Sequence, residues 1–144
     1  MTVEEGVLAR VLALSAVTAL VSTRVYLDKL PQSPTYPCVR VTLISEPEDY
    51  QMRGGSGLGT ALIQVDAYAR EVSGVNPYAL AASVAAAVHG DDAGSGLSGW
   101  KGDAGGSPAV TVQGCFRVDR RRYYDPDELR VVTMSQDYQV TYRT

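Results

Sequence analysis

Residues 61–70 read Ala-Leu-Ile-Gln-Val-Asp-Ala-Tyr-Ala-Arg. Ala61, Ile63, Val65, Ala67 and Ala69 make one parity; Leu62, Gln64, Asp66, Tyr68 and Arg70 make the other. Side chains alternate across a strand, so this segment reads as a strand with one apolar face and one largely polar face. Upstream, Val39, Val41 and Leu43 alternate with Arg40, Thr42 and Ile44, a second strand that ends at Pro47. No helical pattern separates the two, so they should pair antiparallel. Residues 46–59, EPEDYQMRGGSGLG, then form a long hairpin loop.

Working outward, Asn76-Pro77 is a helix start, with Asn as cap and Pro at the first helical position. Leu80, Ala81, Val84, Ala87 and Val88 mark its buried stripe, and Gly90 its end. Residues 90–108 form a second long loop, glycine-rich and with only Leu97 and Trp100 as large apolar groups. Loops of that length are usually functional or disordered. A strand follows from Val110 to about Arg122, with Gly114 opposite or in a bulge. A turn at Asp125-Pro126-Asp127-Glu128 leads into a last strand, Leu129 to Tyr142, and these two also pair as a hairpin.

Towards the N-terminus, residues 3 to 14 read as an amphipathic helix, with Thr2 and Glu5 as a capping box. Ser15 caps a second short turn, 16–21; an unbroken helix over 3–21 is the competing reading. Pro31, Pro34 and Pro37 make residues 22–37 an extended connection. The expected fold is α+β, a single domain over 1–144. It has a four-stranded, mainly antiparallel sheet with two helices on one face, in the order α-β-β-α-β-β.

Composition narrows the function. A net charge of −3 and a pI near 5.1 argue against a generally basic nucleic-acid binder. Cys38 and Cys115 are too few for a disulfide scaffold or a zinc cluster, and read as small core residues; a single bridge stays open. One histidine, His89, does not build a His-based metal site or a Ser-His-Asp triad; at a helix end it suits the dipole. No apolar run reaches the ~18–20 residues of a membrane span. Glu4 and Glu5 stand where a secretory leader would be basic, so no leader is expected.

Candidate chemistry is sparse. Asp125, Asp127 and Glu128, and Glu46, Glu48 and Asp49, form acidic clusters, but both lie in turns that favour such residues for backbone reasons. The glycines of 55–59 lack the Lys and the following helix of a phosphate loop. No catalytic residue, metal or cofactor is expected. The basic concentration is Arg117, Arg120, Arg121 and Arg122, followed by Tyr123 and Tyr124. Such a run can bind single strands; in an acidic chain it reads better as a strand end paired with nearby acids, or as a protein interface. Nine tyrosines against one Phe point the same way, since Tyr is enriched at interfaces. The assembly candidates are Tyr50, Met52 and Arg53 in the first loop, Gln64, Asp66, Tyr68 and Arg70 on the polar parity of the strand, and Arg120, Arg121, Tyr123 and Tyr124.

Several motifs together carry a resemblance. Arg24-Val25-Tyr26, Leu30-Pro31-Gln32, Pro37 and Val39 are followed by Gln64-Val65-Asp66-Ala67-Tyr68-Ala69 and an alanine-rich helix. Tyr124-Asp125-Pro126, Leu129-Arg130-Val131 and Asp137-Tyr138-Gln139-Val140-Thr141-Tyr142 complete the set. In order and spacing this resembles the tail completion (tail terminator) proteins of long-tailed siphophages and phage-like gene transfer agents. The stretch 90–108 departs from that pattern. The resemblance implies a hexameric ring in the virion tail or neck, assembled in the host cytoplasm. The ring would cap the tail tube, end its polymerisation and present a joining surface to head-completion proteins. DNA would pass through its lumen without sequence-specific binding, and no membrane is involved. A head-closure or other neck protein, a ligand- or metal-binding enzyme and a nucleic-acid binder are the alternatives.

Overall fold

The structure is a computed structural model that describes residues 2–47, 50–51, 54–55, 58–71, 76–104, 110–124 and 130–143, with backbone alone at 50–51 and 54–55. Its elements are α1 (Val3–Ala13), α2 (Ser15–Val21), β1 (Val25–Leu27), β2 (Cys38–Ser45), β3 (Tyr50–Gln51), β4 (Gly54–Gly55), β5 (Leu58–Arg70), α3 (Pro77–His89), β6 (Gly102–Asp103), β7 (Thr111–Tyr124) and β8 (Val131–Arg143). The main sheet has six strands in the order β1-β2-β5-β8-β7-β6 and is mixed and curled; β3 and β4 form a separate two-stranded ladder.

The expected four-stranded sheet with two helices is therefore corrected to six strands and three helices. β1 lies in the stretch read as an extended connection. It pairs parallel to β2 over three residues only, Val25–Val39 to Leu27–Val41, too few to show alternation. β6 is two residues long and pairs Gly102 with Val112 and Asp103 with Thr111. The N-terminal stretch breaks at Leu14, whose ψ of 110° is extended. The cap of α2 is thus Leu14, with no side-chain hydrogen bond, and Ser15 is its first residue rather than its cap. The capping box of Thr2 and Glu5 is present on α1, as is the Asn76 cap with Pro77 on α3.

The core lies between the helices and one sheet face. Val7 and Val11 of α1, Val17 and Val21 of α2, and Val84 and Val88 of α3 are fully buried. They meet Val39 and Val41 of β2, Ala61, Ile63 and Val65 of β5, and Val132, Tyr138 and Val140 of β8. At ~1.5–3 kcal/mol for each large apolar side chain fully buried, this layer supplies the main driving force for folding.

Residues 90–104 are built into that core rather than looped away from it. Leu97 and Trp100 are buried. The Leu97 and Ser98 amides donate to the carbonyls of Val88 and His89 at 2.8 and 3.1 Å, and the Gly99 amide donates to Cys115 at 2.8 Å. Glycine is needed for geometry here. Gly90 sits at φ +86°, and a Cβ on Gly96 would lie 2.5 Å from the His89 carbonyl. Arg10 of α1 clamps the segment, donating to Gly94 O at 2.6 Å and stacking over Trp100.

Candidate assembly surface

The sheet face away from the helices carries the polar parity of β5. Pairing sets Arg40 opposite Asp66 and Asp66 opposite Ser135, so one row crosses three strands. Asp66 is fully buried at its centre. Arg40 Nη2 and Nε donate to Asp66 Oδ2 at 2.8 and 3.2 Å. Gln64 Nε2 donates to Oδ1 at 2.8 Å, Tyr68 Oη lies 3.4 Å from Oδ2, and Ser135 Oγ donates to Oδ1. Ser135 Oγ also lies 3.3 Å from the Tyr123 hydroxyl. Both carboxylate oxygens are thus taken by internal donors, and a buried charge that is paired and hydrogen-bonded escapes most of its desolvation cost. The Arg40 guanidinium also lies over the Tyr68 ring, 5.7 Å from its centre.

Tyr68 joins Cys38 and Val131 in a small second cluster, against which Tyr26, Leu30 and Tyr36 pack. Burial pushes the Tyr68 hydroxyl well above its ordinary pKa, with the Asp66 charge adding to the rise. Burial likewise pushes the Cys38 thiol up to about 11 and the Cys115 thiol to about 12. Both cysteines are free and buried.

Further along this face, Asp119 of β7 sits directly opposite Asp137 of β8. Two like charges there would repel. Arg121 bridges them, reaching Asp119 Oδ2 at 2.5 Å and Asp137 at 2.7 and 3.2 Å. That guanidinium, with the Arg120 amide, holds Asp119 below the usual carboxylate range.

On the helix side, Arg117, Arg120 and Arg122 lie opposite Tyr138, Gln136 and Met134. Arg117 donates to Gln136 Oε1 at 2.9 Å, and Arg122 stacks on Tyr78 at 4.6 Å. Tyr124 meets Tyr78 edge-on, with ring centres 5.3 Å apart. A groove of about 210 Å³ between α3 and β7 is lined by His89, Arg117, Arg120 and Gln136 among others. The Tyr138 hydroxyl sits within hydrogen-bond distance of both His89 Nδ1, at 3.0 Å, and Gln136 Oε1, at 3.2 Å, and so links the two. Burial, then the charges of Arg117 and Arg120, lower the His89 pKa, in keeping with a neutral ring.

Of the sequence candidates, Gln64, Asp66, Tyr68 and Tyr123 come together around one carboxylate. Arg70 ends β5, opposite Val131. Arg121 forms the separate bridge, while Arg120 and Tyr124 face the helix side. Met52 and Arg53 lie outside the described residues, and Tyr50 is placed only by its backbone pairing with Gly55. The carboxylate clusters at 125–128 and at Glu48 and Asp49 also fall outside them. Sequence reasoning missed Arg40 and Ser135. Arg40 stands on the polar parity of its own strand, a usable signal; Ser135 has none until register is known.

Among the described residues, no group of three or more His, Cys, Asp and Glu is placed to hold a metal ion, and no helix is long and apolar enough to cross a membrane. The described residues thus form a curled sheet with a helix-packed core on one face and, on the other, charges paired within the chain. Residues 5–143 match the family described as tail completion protein gp17, and the chain belongs to that family. It is a structural protein of the virion tail, not an enzyme. A chain in the structure titled "Virion of native gene transfer agent (GTA) particle" has the same fold. The TM-score is 0.68 at 18% identity, covering 98% of this chain and 94% of that one. No curated protein matches.

Proposed function

We propose that this protein, acting as a single domain, forms a ring, hexameric by family resemblance, that caps the tail tube, ends its polymerisation and offers the surface on which the head is joined. Family membership over nearly the whole chain carries this reading. The virion structure that shares the fold supports it. The Asp66 cluster, with Gln64, Tyr68 and Arg70, holds the open face in shape beside a neighbouring subunit. The arm that holds Tyr50, Met52 and Arg53, between β2 and β5, reaches a neighbour, the tube or the lumen. Arg120, Arg121, Tyr123 and Tyr124 serve contacts between subunits or with the tube and neck proteins. DNA traverses the lumen without sequence-specific contacts.

The test is electron microscopy of particles assembled without the protein. Tails of uncontrolled length and unjoined heads are the expected result; tails of normal length joined to heads would overturn it. Co-purification with empty heads instead of tail tubes would favour a head-closure role. Shortening residues 51–57 tests the arm in the same assay, and normal joined tails would count against it.

A further inference from the structure

Six large apolar side chains stand exposed among the described residues, and four of them, Phe116, Val118, Tyr123 and Tyr124, fall on the last nine residues of β7. The outer edge of this strand is covered only at its start. β6 pairs with Thr111 and Val112, and the Gly99 amide reaches Cys115. From Phe116 to Tyr124, about 30 Å of strand at ~3.4 Å per residue, no described strand pairs with it. An edge of that length is a template for another chain, and a register shift between Arg117 and Asp119 with a run of arginines is how edges are kept from indiscriminate pairing.

We infer that this edge of β7 docks on a second copy of the chain, head-to-tail. The inference rests on the ring reading and names the surface that makes it. Charge decides the mode. Four arginines and one aspartate give the segment +3, so the remainder of a chain of net −3 carries −6. Asp137, paired with Arg121 from the next strand, lowers the local charge from +3 to +2, and two β7 edges facing each other would still set positive against positive, which is destabilising. The strand of one copy against the acidic remainder of the next is attractive, and a contact between unlike surfaces is the kind that closes a ring. Nucleic acid fits less well. Arg121 is held by two carboxylates, Arg122 by Tyr78 and Arg117 by Gln136, which leaves Arg120 as the guanidinium with no side-chain partner among the described residues. Exposed Tyr and Arg beside Phe are instead the composition of a protein contact.

The test places the photo-cross-linker p-benzoylphenylalanine at Phe116, and separately at Val118, in tails assembled with the protein. A melting curve checks that each variant folds, as 60% and 55% exposure allows. Mass spectrometry then identifies the joined peptide, and protein mass per particle gives the copy number. The expected result is a cross-link to a second copy outside β7. A β7-to-β7 link overturns the head-to-tail mode; a link to tube protein, neck protein or DNA, or no link, overturns the second-copy assignment. A ring of copies with any of those outcomes leaves the ring reading standing, whereas a single copy per particle removes the ring itself.

Discussion

Replacing Asp66 by Ala takes the acceptor away from Arg40, Gln64, Tyr68 and Ser135 at once. A charge-assisted hydrogen bond contributes roughly 1.5–3 kcal/mol, and each buried donor left without a partner costs about 1–3 kcal/mol. The Arg40 side chain is 30% exposed, so water recovers part of its loss; Ser135 is buried and recovers little. Removing the carboxylate also relieves its own desolvation, which holds the net loss to about 3 kcal/mol, the lower end for a broken buried pair. For a chain of this length that lowers Tm by about 10 °C. Circular dichroism melts and urea titration of the isolated protein read it directly. Arg40→Met keeps a stem over Tyr68 while removing the charge. The double-mutant cycle of the two should give a coupling of about 1–2 kcal/mol. A loss below about 1 kcal/mol for Asp66→Ala, with ring assembly intact by sizing, would refute the assignment of Asp66 as the structural centre of this face. Zero coupling with Arg40 would refute the ion pair as the cause.

Gly96→Ala should destabilise the protein by about 1–3 kcal/mol in urea titration, because the new methyl meets the His89 backbone, which cannot swing aside. Leu97→Ala, at a fully buried position, should cost about 2–5 kcal/mol in the same assay; a negligible change in both would mean that residues 90–104 are not part of the core. His89 titrates below its ordinary value in the folded chain, so the unfolded chain takes up the proton first. Its contribution is whole above the unfolded value of about 6.5 and is lost as pH falls through the folded pKa; His89→Gln should flatten that part of the stability–pH curve. Cys38 and Cys115, with thiols pushed up to about 11 and 12, should resist a thiol reagent at pH 8 until denaturant is added. Prompt labelling of either would refute its burial.

The strand at 61–70 was readable because one of its faces meets helices, and burial on one side imposes a two-residue period. β8 was readable for a related reason: Val132, Met134, Tyr138, Val140 and Tyr142 are apolar on the parity that meets the helices, although Val131, Thr133 and Ser135 on the other parity are buried too. β1 carries no such signature: it is a three-residue edge strand, paired in parallel across a connection of ten residues that contains all three prolines of the stretch. The segment around Gly96 misled in the opposite direction. Glycine frees an unfolded chain, but it also lets backbones approach closely, and only the packing of Leu97 and Trp100 tells which effect operates.

The arginine run shows why the candidate surface was only partly legible. In sequence, Arg120, Arg121 and Arg122 form one basic patch. On a strand, neighbours point to opposite faces, and the irregularity at Val118 resets the parity of everything beyond it. Arg117, Arg120 and Arg122 therefore turn to the helix side, while Arg121 alone turns to the open face and is neutralised there by Asp119 and Asp137. What the proposed contact would use is less a positive patch than an edge: backbone that no described strand pairs, exposed Phe116 and Val118, and a strand charge opposite in sign to the rest of the molecule. A surface of that kind favours a neighbour that supplies both a strand or loop to pair and an acidic face to meet it, and selects against its own mirror pairing. In the head-to-tail contact proposed above, that combination would form one side of each interface, the acidic remainder of the next copy the other.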